Sequence, residues 1–259
     1  MAESTLSLDY TMLISIIGRY LGYGSDSTQW TTEMLAEIHD VLDSGMRQFY
    51  NPPPLPGQAN AHVWSFLQPV ETLEIESEVS DYDLPDNYGG MISKFSYGPS
   101  GGFFKITIVG EHDIRRLRQT QALSGMPQKA AVVPVIEEAS PTRYQVQFWP
   151  TPDSDYTLYY RYQVLQDALR TNNPYPLGGA IHAETIKQSC LAIAEQQKNE
   201  ERGVQTQLFY DHLARSIDID LKNSTPDYLG YNSNSRVDDV FSIPRRYNTK
   251  LFYNDEQIL

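Results

Sequence analysis

The sequence predicts an α+β protein: a four-helix bundle with an inserted antiparallel β domain and an extended C-terminal arm. Three observations carry this expectation. Apolar residues recur at three-and-four spacing over residues 8–49 and again over 181–221, the mark of helices with one buried face. Between these stretches the period changes to two, with Gly- and Pro-rich breaks, as in a half-buried sheet. Beyond Lys222 neither period persists.

The first helix is read from Leu8, Met12, Leu13, Ile16, Ile17, Tyr20 and Leu21, which share one stripe. Gly22 and Gly24 stop it, because glycine tolerates the left-handed backbone that closes a helix. Asp26 followed by Gln29 matches a capping box and predicts that a second helix starts there. Its stripe is Trp30, Met34, Leu35, Ile38, Val41, Leu42 and Phe49. The run Pro52-Pro53-Pro54-Leu55-Pro56-Gly57 cannot continue a helix and reads as a stiff connector.

Residues 60–165 read as strands and turns. Val63-Trp64-Ser65-Phe66-Leu67 is short and aromatic; at 72–76, alternation places Leu73 and Ile75 on one face. Residues 91–97 and 103–109 flank Gly98-Pro99-Ser100-Gly101-Gly102, which predicts a hairpin. A short helix is expected over 113–123. Residues 130–136 form an apolar run in which Pro134 marks an edge or a bulge. Strands at 144–148 and from 156 to 162 complete an antiparallel sheet or small sandwich.

Helical patterning returns after Gly178-Gly179, with Ile181, Ile186, Cys190, Ile193 and Ala194 on one helix and Gly203 as its expected stop. Val204, Leu208, Leu213, Ile217 and Leu221 mark the next. Four amphipathic helices can bury their stripes against one another. The expected domains are therefore 1–55 with 176–222 for the bundle, 56–175 for the β insertion and 223–259 for the arm. The arm carries Pro226, Gly230 and Pro244 but keeps Phe241, Ile243, Leu251, Phe252 and Tyr253. An arm that orders on a neighbour fits those residues; an ordinary frayed terminus is the plainer alternative.

A net charge of −13 argues against general nucleic-acid binding, which needs clustered Lys and Arg to neutralise phosphates. The densest basic group, Arg115, Arg116 and Arg118, reads as an anion or partner contact or, more plainly, as a solvated face. The lone Cys190 excludes an intramolecular disulfide and a multi-cysteine zinc site, and fits folding in a reducing compartment. No apolar run approaches the roughly 18 residues of a membrane helix. No basic segment precedes an apolar one at the N-terminus, so no secretory leader is expected. Eighteen tyrosines suit an interaction surface, or a sheet core with wet edges.

Motifs for chemistry fail on context. His182-Ala183-Glu184 lacks the Pro-Cys-x-x-Cys of a zinc deaminase and reads as helix surface. His39, His62, His112 and His212 show no ligand spacing. Gly22-Tyr23-Gly24 follows no strand, and Gly98-Pro99-Ser100-Gly101-Gly102 is a turn rather than a nucleophile elbow. Cys190 reads as a small core residue. The pairs Glu137-Glu138, Asp153 with Asp155, and Asp218 with Asp220 are sequence neighbours that point apart on a regular element. No catalytic residue, no metal ligand and no cofactor is predicted.

Four stretches carry a resemblance. They are Leu42-Asp43-Ser44-Gly45-Met46-Arg47-Gln48-Phe49-Tyr50 with Val63-Trp64-Ser65-Phe66-Leu67-Gln68-Pro69; Tyr82-Asp83-Leu84-Pro85-Asp86-Asn87-Tyr88; Trp149-Pro150-Thr151-Pro152; and Ala194-Glu195 with Leu213-Ala214-Arg215-Ser216-Ile217. In this order and spacing, over about residues 8–222, the chain resembles the head-to-tail adaptors of tailed phages, the group that includes tail tubular protein A of short-tailed phages. The resemblance implies a structural, non-enzymatic virion protein at the neck or tail, assembled in the host bacterial cytoplasm. It implies a twelve-fold ring of copies under the portal protein and above a tail or nozzle protein. Genomic DNA would pass through the ring without specific binding, and acidic walls would keep the duplex from sticking. Phe241, Ile243, Phe252 and Tyr253 are then the candidate portal-binding anchors of the arm. The alternatives are another tail, neck or decoration protein of the virion, or a cell-wall-degrading virion enzyme.

Overall fold

The structure, a computed structural model, describes residues 3–56, 59–98, 105–136 and 143–224, with two short strands at 252–253 and 256–257. It is α+β, with five α-helices, one antiparallel sheet and one mixed sheet, and a further two-stranded pair near the C-terminus.

Helix α1, Tyr10–Leu21, starts where the Asp9 carboxylate accepts from the Met12 N–H at 2.7 Å and stops at Gly22, whose φ is 95°. The next start differs from the expectation. Asp26 caps only a 3-10 turn, Ser27–Gln29, and α2, Thr32–Tyr50, begins with Thr31 accepting from the Met34 N–H. The reason is tertiary. Trp30 lies against Gly18, where a Cβ would meet its ring at 2.5 Å, and its indole N–H donates to the Tyr23 carbonyl. Seating the indole there bends the chain before a helix can start.

Helix α4 is Ala183–Asn199 and α5 is Val204–Ser224. Gly203 is not the stop of α4; Glu200 is, in the left-handed conformation at φ 57°. Gly203 instead makes room for Glu195. That buried carboxylate accepts from the backbone N–H groups of Gly203, Gln205 and Thr206 at 3.0–3.2 Å. It caps the first turn of α5, where a negative charge is favoured, and a Cβ on Gly203 would strike it at 2.5 Å.

Leu13, Ile17, Ile38, Leu42, Phe49, Ile186, Cys190, Phe209 and Leu213 bury completely or almost so in one cluster drawn from α1, α2, α4 and α5. Each such side chain contributes roughly 1.5–3 kcal/mol of burial. Helices α2 and α4 approach most tightly at Gly45. A Cβ there would lie 2.7 Å from the Cys190 Cα, and Ser189 Oγ donates to the Gly45 carbonyl at 2.7 Å. The buried face of α5 is rotated from the expected stripe. It runs through Thr206, Phe209, Leu213, Ser216, Ile217 and Asp220, while Val204, Leu208 and Leu221 face outward.

Residues 63–67 are not a strand. Ser65–Leu67 is a 3-10 turn, and Trp64 and Leu67 plug the helical cluster. The Trp64 indole N–H donates to the Phe49 carbonyl at 2.8 Å, which satisfies the only polar atom of a buried indole.

The strands build two sheets. The first pairs β1 (Val70–Ile75), β7 (Tyr156–Val164) and β3 (Tyr88–Tyr97) antiparallel in the order β1-β7-β3. The second has the order β2-β6-β5-β4, from β2 (Asp81–Asp83), β6 (Arg143–Trp149), β5 (Lys129–Val135) and β4 (Thr107–Ile108). Inward residues Ile75, Phe95, Leu158 and Tyr160 share a core with Ala130, Val146 and Phe148, so the sheets pack face to face. The expected hairpin is reduced to one antiparallel bridge, Ser96 to Lys105; residues 99–104 lie outside the described residues. Strand β4 instead crosses to the other sheet and pairs parallel with β5, carrying Ile106 into the core. The β region is therefore mixed rather than purely antiparallel. Among the described residues, Pro134 falls where β5 has no neighbour on its far side, because β4 reaches only Lys129 and Ala130. A residue without an N–H loses nothing there.

Helix α3, Glu111–Thr120, follows β4. The chain divides into two compact units, Met1–Lys222 and Asn223–Leu259. In the second, β8 (Phe252–Tyr253) pairs antiparallel with β9 (Glu256–Gln257). Phe241 and Ile243 lie outside the described residues.

Candidate functional site

Two polar constellations stand out in the first unit. One joins residues 62–65 to the last turns of α5. Asp220 is 3% exposed. Its carboxylate accepts from Ser65 Oγ at 2.5 Å, from the Ser65 N–H at 3.1 Å, and meets His62 Nε2 at 2.8 Å. Burial pushes this carboxyl up, but the bonds from Ser65 and His62 outweigh it and hold it below its ordinary 3.8. His62 stands edge-on to Trp64. His182 completes the group, packed between Phe49, Trp64 and Phe66 with its Nδ1 buried and without a hydrogen-bond partner. Burial holds its imidazole below the usual histidine range.

A serine, a histidine and an aspartate in contact raise the question of nucleophilic catalysis, and the geometry answers it. Activation requires the imidazole between hydroxyl and carboxylate. Here the carboxylate lies between the other two. Ser65 commits its proton to Asp220, so the trio is a clasp between the connector and α5. His182 is also not helix surface, as the sequence implied. The 3-10 turn Ala180–His182 turns it inward and leaves Ile181 at 61% exposure.

The second constellation lies where residues 165–177, returning from β7, cross α2. Arg170 grips both oxygens of Asp43 at 2.9 and 2.8 Å, the bidentate geometry that a guanidinium favours. The Tyr50 hydroxyl accepts from the Leu177 N–H; burial raises its phenol pKa. Two adjoining shallow clefts follow this crossing, and Leu165, Tyr175 and Leu177 give the second an exposed apolar rim. The arrangement offers contact surface and holds Asp43 in an ion pair.

The remaining sequence candidates have structural partners or lie apart. Asp153 accepts from the Tyr156 hydroxyl at 2.6 Å and Asp155 from the Ser77 N–H at 2.9 Å, so both tie turns together. Asp218 is exposed while Asp220 is buried, and Glu137-Glu138 lies outside the described residues. Cys190 is buried against Gly45, and burial pushes its thiol up to about 12, which disfavours the thiolate that a nucleophile requires. Arg115 and Arg116 pair locally with Glu111 and Asp113. Arg118 instead reaches Asp81 at 2.6 Å and the Phe148 carbonyl at 3.1 Å, tying α3 to the second sheet. His39 bonds the Tyr10 hydroxyl at 2.7 Å. Among the described residues no group of three or more His, Cys, Asp or Glu could hold a metal ion, and no helix is long and apolar enough to cross a membrane.

Sequence reasoning missed the clasp because Ser65 and Asp220 are 155 positions apart. One signal was present: Asp220 continues the spacing of Leu213 and Ile217, so it occupies a buried helical position.

The polar groups thus serve the architecture, and the outward features are apolar rims and charged faces suited to contact. No curated protein matches the chain. The family described as SU10 adaptor protein matches residues 9–237, from the cap of α1 through the whole of α5. By that extent the chain belongs to the SU10 adaptor protein family, and so to the structural adaptors of phage virions.

Proposed function

We propose that this chain is a head-to-tail adaptor that assembles as a ring of twelve copies beneath the portal protein, joins the capsid to the tail or nozzle protein and continues the DNA channel. The observation that carries the reading is the family match across all five helices and both sheets. Two apolar cores in one unit support it, since they give a ring subunit distinct faces for its two neighbours. The acidic balance supports a channel wall that repels the duplex. On this reading the likeness to tail tubular protein A reflects shared architecture, and subunits fold in the host cytoplasm before docking. The segment 223–259 is the arm, with Phe241, Ile243, Phe252 and Tyr253 as its anchors on the portal.

The test is electron microscopy of the purified protein mixed with its cognate portal. A coaxial ring on the portal is expected. Folded protein that forms no complex overturns the reading in favour of another tail or neck component. Truncation after Lys222 separates the arm from the fold. Loss of portal binding with the helical content unchanged is expected, whereas full binding by the truncated chain would remove the arm from the interface.

A further inference from the structure

Residues 62–65 are held to α5 through the Asp220 carboxylate, which meets His62 Nε2 at 2.8 Å and accepts from the Ser65 hydroxyl and N–H. His182 packs against Trp64 and Phe66 of the same segment, with its Nδ1 buried and without a hydrogen-bond partner. The cluster is closed on its other sides by Phe49 from α2, by Trp64 and Phe66 from the connector, and by Gly178, where a Cβ would lie 3.1 Å from the Phe66 ring. The other acids nearby are engaged elsewhere: Glu184 on α4 pairs with Lys187 and is largely exposed, and Glu3, whose Oε1 would lie 3.6 Å from a Cβ on Gly179, accepts from the Ser7 hydroxyl. A proton on His182 places a positive charge among aromatic rings, next to a segment whose His62 side chain and its Asp220 partner are only 11% and 4% exposed. Uncompensated buried charge is strongly disfavoured. His182 also precedes the first turn of α4, where the helix dipole opposes a cation.

We infer that His62, Ser65, His182 and Asp220 form an acid-sensitive clasp that locks residues 59–68 onto the end of α5 at neutral pH and releases them when the buried His182 imidazole is protonated. The geometry sets what release would do. Residues 62–65 lie a few residues before β1, and Asp220 lies three residues before the second compact unit begins. Opening the clasp therefore frees the start of the β region and the root of the C-terminal segment together. This inference does not depend on what the C-terminal segment binds.

Its sign follows from linkage. A histidine whose folded pKa is depressed binds fewer protons folded than released, so the closed form loses stability as pH falls below the ordinary histidine range. The experiment is amide hydrogen exchange on the full chain at pH 7.5 and pH 5, corrected for intrinsic rates. Residues 59–68 and the last turns of α5 are expected to exchange at least tenfold faster at the lower pH, while the α2–α4 contact at Gly45 and Cys190 stays protected. His182→Phe keeps an aromatic ring in the box and should abolish this pH dependence. His182→Gln, which does not titrate, should do the same if the larger ring disturbs packing. Asp220→Asn should expose the connector at both pH values. Equal protection of the connector at the two pH values in the native chain would overturn the inference, as would acid loosening that persists in both His182 variants.

Discussion

The helical core and the β sandwich solve the same burial problem with different chemistry. Every buried polar or charged residue among the described ones, from Ser7 through His182, Thr185, Gln188, Ser189, Glu195, Thr206 and Ser216 to Asp220, belongs to the helical part. The sandwich buries none of these types. It fills its interior with Ile, Leu, Val, Phe and the rings of Tyr88, Tyr97, Tyr160 and Tyr162. Its tyrosine hydroxyls donate to partners such as the Pro127 carbonyl and the Asn87 side chain. The contrast teaches where orientation is specified. Apolar packing tolerates small shifts, but a buried carboxylate accepting three N–H groups does not. In the helical part such groups fix α5 against α4 and against the connector; in the sandwich the strand ladders already fix register.

The largest effect should come from alkali, which acts on the sandwich through several buried tyrosines and on the helical core through Tyr50. Burial pushes the Tyr88 phenol up to about 12 and also raises those of Tyr97 and Tyr160. A tyrosine with a raised pKa binds more protons folded than unfolded. Its contribution is therefore complete below the ordinary 10 and is lost as pH rises through the folded value. Stepwise alkaline titration should release tyrosinate absorbance cooperatively with loss of β structure. Tyrosines that ionise independently near their ordinary value would break the comparison. Acid should act on the other side. Asp220 has a lowered pKa, so its contribution is present above about 3.8 and is lost as pH falls below that.

Removing the Asp220 carboxylate should have the next largest effect. Asp220→Ala strands His62, Ser65 Oγ and the Ser65 N–H. Breaking one side of a buried polar network costs about 3 kcal/mol, read by denaturant unfolding monitored at Trp64. A loss well under about 1 kcal/mol would mean that the site behaves like a surface pair. Glu195→Ala uncaps α5 and should cost about 2 kcal/mol, near the upper end for a cap. Hydrogen exchange at Gln205 and Thr206 should rise with it. Tyr162→Phe, which deletes only the hydroxyl bonded to Asn87, should cost about 1 kcal/mol or less. Equal losses for Asp220→Ala and Tyr162→Phe would show that polar groups matter no more in one core than in the other.

Much of this was legible in the residues themselves. The stripes of α1, α2 and α4 pointed to Leu13, Ile17, Ile38, Leu42, Phe49, Ile186 and Cys190, all of which are buried, but also to Met12 and Ile181, which are exposed, and passed over Ile14, which is buried. Alternation at 144–148 pointed to Val146 and Phe148, both buried in the sandwich, and 156–162 was legible as a strand. The face of α5 was misread because Thr206, Ser216 and Asp220 occupy buried positions, and polar residues erase an apolar stripe. Trp64 was misread as strand because a short aromatic run carries no period that separates a strand from a plug.

What the sequence determined alone is what depends on neighbours three or four positions apart on a helix, or two on a strand. That covers the layout of two helices, a β region and two further helices, the stops at Gly22 and Pro52, and the absence of the usual catalytic motifs. Tertiary structure decided what depends on partners far along the chain. Among these are the crossing of β4 to the second sheet, the late start of α2 behind Trp30, the use of Gly203 as room for Glu195, and the closure of Ser65 and His62 on Asp220. The physical reason is that hydrogen bonds and contacts across such separations exist only once the core has brought the elements together. No local pattern in the chain encodes which of several equally suitable polar groups will be there to meet.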